Sequence, residues 1–567
     1  MRIFNHTPGV RQWLLALLVS GGAGHSTQAQ VAAPGVAWQW AATGGGSQGS
    51  DYFDRVATDA GGHVFVAGRM RKTATYGDTT LTATGSQDDL LVAKLSLAGG
   101  YEWVRRAGSS ANDEVTALRV GTNGNVYIEG FGALAMTFGS VTLPAYGPTV
   151  GPGYVACLNG TTGAWLWAVR TPANSFSSAM VLDAANNVYV AGAFTDTASF
   201  GSTQLVCTTP TAYNPFVAKL SGTGTHAWQW ATKATSIGDE RVTALATDHA
   251  GNLYVGGHFV APTIQFGTTT LTKVGAQDVF VAKLTTGGAW RWARQVGGVA
   301  SEVLNDLAAT ATGGVALSGY FQGTNTLVGA TTLTNAGRAN TFDGFVARIN
   351  PAGAIQWATR MGGTKNDATR TVALAPTGEV YVTGFYDSPT VVIGDSVYTN
   401  TSAPNNLADS FVARVTASGS AARWQMLGHT TGLNCEFIIG TALDATGNLY
   451  LSGCFASTPT ATVGPFTVTS SGLFDAFVTK LTPATAPTGL AGTAATAGLT
   501  LWPNPARAAV RVAGARGAPV ELLDALGRVV QTEYDGAGTD PTLNLQGVLP
   551  GVYMVRAGAA WRRLAVE

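Results

Sequence analysis

The sequence predicts an all-β chain: a seven-bladed β-propeller of four-stranded blades closed by the N-terminal strand, followed by a small C-terminal β-sandwich. Three observations predict it. A segment of the form Gly-Asn-Val-Tyr-Val-Ala-Gly recurs seven times, ending at Gly68, Gly130, Gly192, Gly257, Gly319, Gly384 and Gly453, at spacings of 62, 62, 65, 62, 65 and 69 residues. A steady period means one supersecondary unit repeated, each copy needing its neighbours to bury its apolar surface. Each unit holds four short β-branched or aromatic runs bounded by Gly, Asp, Asn and Thr, and no stretch keeps a helical period. Finally, a Trp-containing run precedes the first full repeat and none follows Leu481.

Taken in order, residues 1–29 read as a secretory signal, with Arg2 and Arg11 for positive charge, an apolar segment from Trp13 to Val19 and Thr27-Gln28-Ala29 for cleavage. The apolar part is too short to span a bilayer, and no later stretch is long enough. The propeller is expected over residues 30–481. Its first element, Trp38-Gln39-Trp40-Ala41, reads as the outer strand of the last blade, so that the N-terminus closes the ring and removes two open edges. The fourth copy shows the unit best: Val242 to Asp248, Leu253 to Gly257, Val279 to Leu284 and Trp290 to Ala293. Turns such as Asp248 to Asn252 and Asp444 to Asn448 suit tight antiparallel hairpins. A longer link, holding segments such as Phe266 to Thr272, joins the second and third strands. Residues 482–498, rich in Ala, Thr, Pro and Gly and without charge, read as a linker. Residues 499–567 return to short strands, including Val520 to Val530, Leu543 to Leu545 and Gly551 to Arg556, and suggest the sandwich.

Within that last segment the opening Pro503-Asn504-Pro505, the turn from Asp524 to Gly527-Arg528, the strand Gly551-Val552-Tyr553 and the ending Arg562-Arg563 keep a characteristic order. The segment resembles the type A C-terminal sorting domain of type IX secretion. That resemblance implies passage across an outer membrane of the Bacteroidetes kind, engagement by the type IX machinery, removal of the domain, and release or attachment at the cell surface. The repeats resemble the seven-bladed propeller repeats of secreted bacterial proteins, a label that implies no chemistry.

Composition narrows the partners. Lys plus Arg equals Asp plus Glu at 33 each, and charged residues are 12% of the chain, against roughly 25% in ordinary domains. A nucleic-acid partner would need a basic face and is not expected. The 73 glycines belong with hairpin turns, since the apolar fraction is still 46%. Of four cysteines, Cys435 and Cys454 fall on the first two strands of the last blade and could form a disulfide, slightly out of register. Cys157 stands where its sister repeats hold a basic residue and reads as a buried thiol.

One positional pattern is a candidate site. Seventeen residues before each marker glycine stand Asp51, Asp113, Ser175, Glu240, Glu302, Asp367 and Glu436, six of seven acidic. They lie between the Trp strand of one blade and the inner strand of the next, on the face that also carries the long links. That decorated face is the expected interaction surface. The six carboxylates could form a ring holding a hard cation such as calcium. Alternatively, each caps a local turn or pairs with the basic residue of the third strand, Lys94, Lys219, Lys283, Arg348, Arg414 or Lys480. A second set, Asp89, Asp278, Asp343, Asp409 and Asp475 with Asn214, opens the third strand and is expected to satisfy turn amides. Eleven of the 14 tryptophans sit in the Trp strand, where Trp-x-Trp is expected to place both rings on one side, packed between blades.

Enzyme signatures are weak. Gly45-Gly46-Ser47-Gln48-Gly49 matches a nucleophile elbow, but no strand and helix flank it. His63, His226, His249, His258 and His429 form no ligand spacing, and no phosphate or EF-hand loop is present. The expectation is an exported binding module, adhesive or scaffolding, for an extracellular glycan or protein. The alternatives are a carbohydrate-active hydrolase or lyase and a purely structural surface protein. Repeat uniformity favours multivalent binding over a single catalytic pocket.

Overall fold

The computed structural model describes residues 36–483 and 499–567, apart from 133, 146–152, 249, 339, 401–407, 419–420, 430–435, 457–459, 516–518, 525–528, 534–539 and 558–559. The expected signal segment, most of the linker, Cys435, Gly527 and Arg528 lie outside the described residues. The chain divides into two compact units, Met1–Ala484 and Thr485–Glu567. Among the described residues every regular element is a strand.

Each repeat of the first unit forms an antiparallel sheet in the order inner strand, second strand, third strand, Trp strand. In the fourth repeat these are Arg241–Thr247, Asn252–Phe259, Asp278–Thr285 and Trp290–Gly298. The turn chemistry explains the Asp-x-x-x-Asn-x-Tyr pattern. Asp248 accepts the Asn252 amide N–H at 2.8 Å, the Asn252 side-chain N–H at 2.8 Å and the Tyr254 hydroxyl at 3.0 Å. Asp183 and Asp444 repeat this with Asn187, Tyr189, Asn448 and Tyr450. One carboxylate thus closes the hairpin and anchors a buried tyrosine.

In the last repeat the third strand Phe474–Pro483 pairs with Val36–Gly45, which supplies the Trp strand from the other end of the sequence. The inner strands touch in repeat order, and that of the seventh touches that of the first. Thr58 donates to the Leu443 carbonyl at 3.1 Å, and the Asp51 N–H to the Phe474 carbonyl at 2.8 Å. The core lies between sheets rather than within one layer. Phe53, Val66 and Leu91 of the first repeat, for example, pack with Tyr450 and Val478 of the seventh.

Two details depart from the sequence reading. The tryptophans do pack between sheets, but Trp-x-Trp does not present both rings on one side. Trp38 pairs with Leu481 and Trp40 with the adjacent Lys480, so a bulge intervenes. An extra residue in a period-two strand sends the flanking side chains to opposite faces. Trp38 joins the core against the sixth repeat and Trp40 the core against the first. The second ring also locks the next sheet: the Trp40, Trp103, Trp230 and Trp292 indole N–H groups donate to the Leu97, Gly160, Thr286 and Pro351 carbonyls at 2.9–3.2 Å.

The second departure is the long link, which contains a hairpin in each repeat, such as Thr263–Phe266 with Thr269–Thr272. It does not merely decorate its own sheet. Asn325–Val328 pairs with the end of the preceding Trp strand, Trp290–Gly298, and Thr73–Tyr76 pairs with Val36–Gly45. The hairpin therefore extends the neighbouring sheet to six strands and covers its edge. Its turn needs a left-handed residue: Gly77, Gly139, Gly201, Gly267, Gly329, Gly394 and Gly464 have φ of 58–65°.

The second unit is a sandwich. Thr500–Trp502, Ala509–Ala513 and Thr542–Asn544 form one sheet; Val529–Glu533, Val520–Leu523, Gly551–Ala557 and Ala560–Val566 form the other. Leu501, Val510 and Leu543 from the first pack on Leu522, Val555 and Leu564 from the second.

Candidate functional site

The acids before the inner strands are buried and held by loop donors. Asp51 accepts the Gly46 and Arg71 N–H groups at 3.0 and 3.2 Å and the Tyr76 hydroxyl at 3.3 Å. Asp367 accepts the Gly363 and Ser388 N–H groups at 2.7 and 3.1 Å and the Ser388 hydroxyl at 2.6 Å. Glu240 accepts the Ala261 N–H at 2.9 Å and the Ser236 hydroxyl, and Glu302 the Thr326 hydroxyl at 2.8 Å. Asp113 accepts the Ser109 N–H at 2.6 Å, while Ser175 donates to the Pro172 carbonyl at 2.6 Å. The Glu436 side chain lies outside the described residues. Asp51, Glu240, Glu302 and Asp367 thus connect the loop leaving the previous Trp strand, or their own entry to the inner strand, with the loop after their own second strand.

Burial pushes Asp51, Asp113 and Glu302 up to about 7, against the hydrogen bonds they accept. Among the described residues no three His, Cys, Asp or Glu side chains are grouped so as to hold a metal ion. Pairing with the third-strand bases, the other expectation for these acids, does not occur among the described residues, because the two rows sit at opposite ends of the strands. Lys94 reaches Glu102 at 2.8 Å and Arg414 reaches Glu379 at 3.1 Å, while Lys283 and Lys480 lie 5.1 and 5.4 Å from the Tyr254 and Tyr450 ring centres. In the second set Asp89, Asp278, Asp343 and Asp475 accept turn N–H groups of Thr84, Val274, Ala336 and Ser471 at 2.5–2.9 Å, as expected. Asn214 donates to the Ser236 carbonyl at 3.5 Å, and Asp409 is buried.

The repeats also differ just beyond the acids. The residue after each acid pairs across the hairpin with the residue after each marker glycine. These pairs are Tyr52 with Arg69, Glu114 with Phe131, Phe176 with Ala193, Arg241 with His258, Val303 with Tyr320, Ala368 with Phe385 and Phe437 with Cys454. No two pairs are alike. The aromatic members associate. Tyr52 stacks on Phe474 at 5.8 Å between ring centres, Phe176 meets Tyr213 edge-on at 5.8 Å, and Tyr320 lies 4.5 Å from Phe342, which meets Phe385 at 6.4 Å.

Guanidinium groups interleave with them. Arg69 lies 4.6 Å above the Tyr52 ring and pairs with Asp54 at 3.0 Å; Arg241 lies 5.2 Å from the Tyr213 ring. Burial and the Arg241 charge push His258 down to about 4, so that ring is neutral. Phe176, Tyr213, Tyr320, Phe342 and Phe385 are each part-exposed. Flat part-exposed rings alternating with guanidiniums can stack on sugar or apolar faces and hold acidic groups. The sequence reading missed these residues; their signal was position, since Phe176, Tyr320, Phe385, Arg69 and Arg241 directly follow an acid-row residue or a marker glycine, and Tyr213 and Phe342 directly precede Asn214 and Asp343.

In the second unit Asn504 couples the opening of the domain to its last strand. Its side chain donates to the Arg563 carbonyl at 2.8 Å and accepts the Ala565 N–H at 2.9 Å. Pro503 and Pro505 flank it within the opening, next to Ala506, whose N–H donates to the Ala565 carbonyl. Gly551 starts the central strand of the second sheet, and Tyr553 donates to the Leu549 carbonyl at 2.8 Å.

Residues 500–563 match the family described as the secretion system C-terminal sorting domain. The C-terminal unit is a type IX sorting domain. It implies engagement by the type IX machinery, and export by that route to the cell surface or the extracellular space. No helix among the described residues is long and apolar enough to cross a membrane. Beyond the sorting domain, the chain is 26% identical over 330 residues to the regulatory protein FlaEY of Caulobacter vibrioides, covering 52% of this chain and 32% of that one. It is 24% identical over 386 residues to an uncharacterized WD repeat-containing protein of Acanthamoeba polyphaga mimivirus, covering 56% and 27%. The chain thus spans about a third or less of these relatives' length. Among solved structures, the Dos1 propeller aligns at TM-score 0.35 and 9% identity over 79% of this chain and 95% of that one.

Proposed function

We propose that the repeats close into a seven-bladed propeller and that the mouth of its decorated face binds an extracellular glycan. Closure is supported by the pairing of Val36–Gly45 with Phe474–Pro483 and by the contact between the first and seventh inner strands. The observation that carries the binding reading is the cluster of part-exposed rings, Phe176 with Tyr213 and Tyr320 with Phe342 and Phe385, interleaved with the Arg69 and Arg241 guanidiniums beside the buried acids. Rings needed only for packing would be covered, whereas rings left part-exposed beside guanidiniums suit a ligand with apolar faces and polar edges. The buried acids serve as loop tethers that hold this mouth in shape, not as cation ligands; their acceptor oxygens are directed at named loop donors rather than at one another.

The test is retention on a panel of polysaccharides and surface glycans, followed by mass spectrometry for products. Retention without new products, weakened about two- to tenfold by Tyr213→Ala or Phe342→Ala, supports the reading; one stacking contact is worth about 0.5–1.5 kcal/mol. New oligosaccharides would replace it with a hydrolase or lyase. Failure to retain any glycan would remove it.

A further inference from the structure

Three arginines project from inner strands at positions where no sister repeat holds a base. The position of Arg55 is held elsewhere by Ala117, Ala179, Ala244, Thr371, Gly440 and Asp306, and that of Arg119 by alanine or valine. Arg370 occupies the bulge position that Asp54, Thr116, Ser178, Thr243, Asn305 and Ile439 fill in the other repeats, none of them a base. All three are part-buried. Arg55 donates to the Thr116 and Asp54 carbonyls at 2.6 and 2.8 Å, and Arg119 to the Leu118 carbonyl at 2.8 Å. These bonds use three of the fifteen N–H donors that three guanidiniums carry.

Among the described residues none of the three forms an ion pair within 4.0 Å. The carboxylates that face them are engaged elsewhere. Asp306, which faces Arg55 and Arg119, accepts the Leu307 and Val372 N–H groups at 2.9 and 3.0 Å. Glu129, facing the same two, is fully buried, takes the Thr116 hydroxyl, and is pushed up to about 7 by burial, so it is protonated in mildly acid solution. Asp54, near Arg370, is paired with Arg69. Burial lowers Arg119 and brings Arg370 down to about 10, the direction expected of cations lacking a direct counter-charge. Buried charge is normally paired, and a cluster of guanidiniums with donors to spare suits an oxyanion.

We propose that Arg55, Arg119 and Arg370 form an oxyanion site inside the propeller channel, which receives the carboxylate or sulfate group of an acidic glycan seated at the mouth. This rests on the closed-propeller reading above. The planar fork of each guanidinium matches a carboxylate or sulfate edge, and the aromatic mouth would take the sugar ring to which that group is attached.

The experiment is calorimetric titration of the full chain at low chloride with sodium glucuronate, inorganic sulfate and neutral glucose. Wild type is compared with Arg119→Gln, Arg370→Gln and the exposed control Arg291→Gln. The expected result is binding of glucuronate or sulfate, not glucose, reduced at least tenfold in both channel variants and unchanged in Arg291→Gln. A rise in melting temperature with the oxyanion, lost in the same two variants, guards against misfolding, because each variant's own melt reports whether it is folded. If glucuronate binding is also weakened by Tyr213→Ala while sulfate binding is not, the source is an acidic sugar; if neither is, it is a free inorganic anion and the glycan half falls. Absence of oxyanion binding, or binding undiminished in both channel variants, overturns the site. Retention of neutral glycans in that case would leave the mouth reading standing, and sulfate binding without any glycan retention would remove the mouth reading alone.

Discussion

Removing residues before Gly46 deletes the strand Val36–Gly45 and leaves the third strand of the last repeat as an open edge. The strand makes eight register pairs with Phe474–Pro483 and contributes Val36, Trp38 and Ala41 to one inter-sheet core and Trp40 and Ala42 to the next. Truncating a buried tryptophan costs about 3–5 kcal/mol, so the two half-buried rings together account for about 6 kcal/mol. Roughly eight ladder hydrogen bonds at about 1 kcal/mol each add about 8. The total, about 14 kcal/mol, is comparable to the whole stability of an ordinary domain. Calorimetry should therefore show a loss of at least about 15 °C in Tm or of cooperativity altogether. Size-exclusion chromatography should show self-association through the exposed edge. Trp38→Ala should fall part-way, and Gln39→Ala, at the exposed bulge, should change little. A truncated chain melting within about 2 °C of the full chain would refute both the closure and the packing argument.

Two further outcomes follow from local geometry. Asp51, Asp113 and Glu302 have folded pKa values of about 7, above their unfolded values, so they bind more protons when folded. Their stabilisation is full below about pH 4 and is lost as pH rises through about 7, with a slope near 1.4 kcal/mol per pH unit for each group. Tm should fall from pH 5 to 7.5, and Asp113→Asn should shallow that fall; a flat or rising profile would contradict the burial argument. Gly163 has φ of 71° and lies so that an added Cβ would come 2.7 Å from the Trp103 ring. Gly163→Ala should cost about 2–3 kcal/mol in urea unfolding, combining left-handed strain with overpacking.

The third repeat shows how that contact adapts. Two extra residues in its hairpin bring His226, at φ of 50°, onto the Trp167 ring at 4.1 Å, replacing glycine with a stacked imidazole. The lock between neighbouring sheets is kept by a different residue, and only the fold shows that His226 has this duty.

What the sequence determined by itself was periodic. The marker glycines, the four runs of each repeat and the displaced Trp38 run were legible because each sister sheet solves the same packing problem with the same residue types. The sorting domain was legible from the order of its motifs at Pro503, Asn504, Pro505, Gly551 and Tyr553. The tertiary structure decided what depends on an extra residue or on a neighbour. The bulge after Trp38 reverses the face of Trp40, which a strict period of two cannot express. The Thr263–Phe266 hairpin and its sisters were read as links because their partners are separate elements, in several cases strands of the preceding repeat. The acids were visible as a row, yet whether they bind a cation, pair with bases or tether loops depended on distances between loops more than ten residues apart. Arg55, Arg119 and Arg370 come from the first, second and sixth repeats, and only the folded chain brings Arg55 within electrostatic reach of the other two.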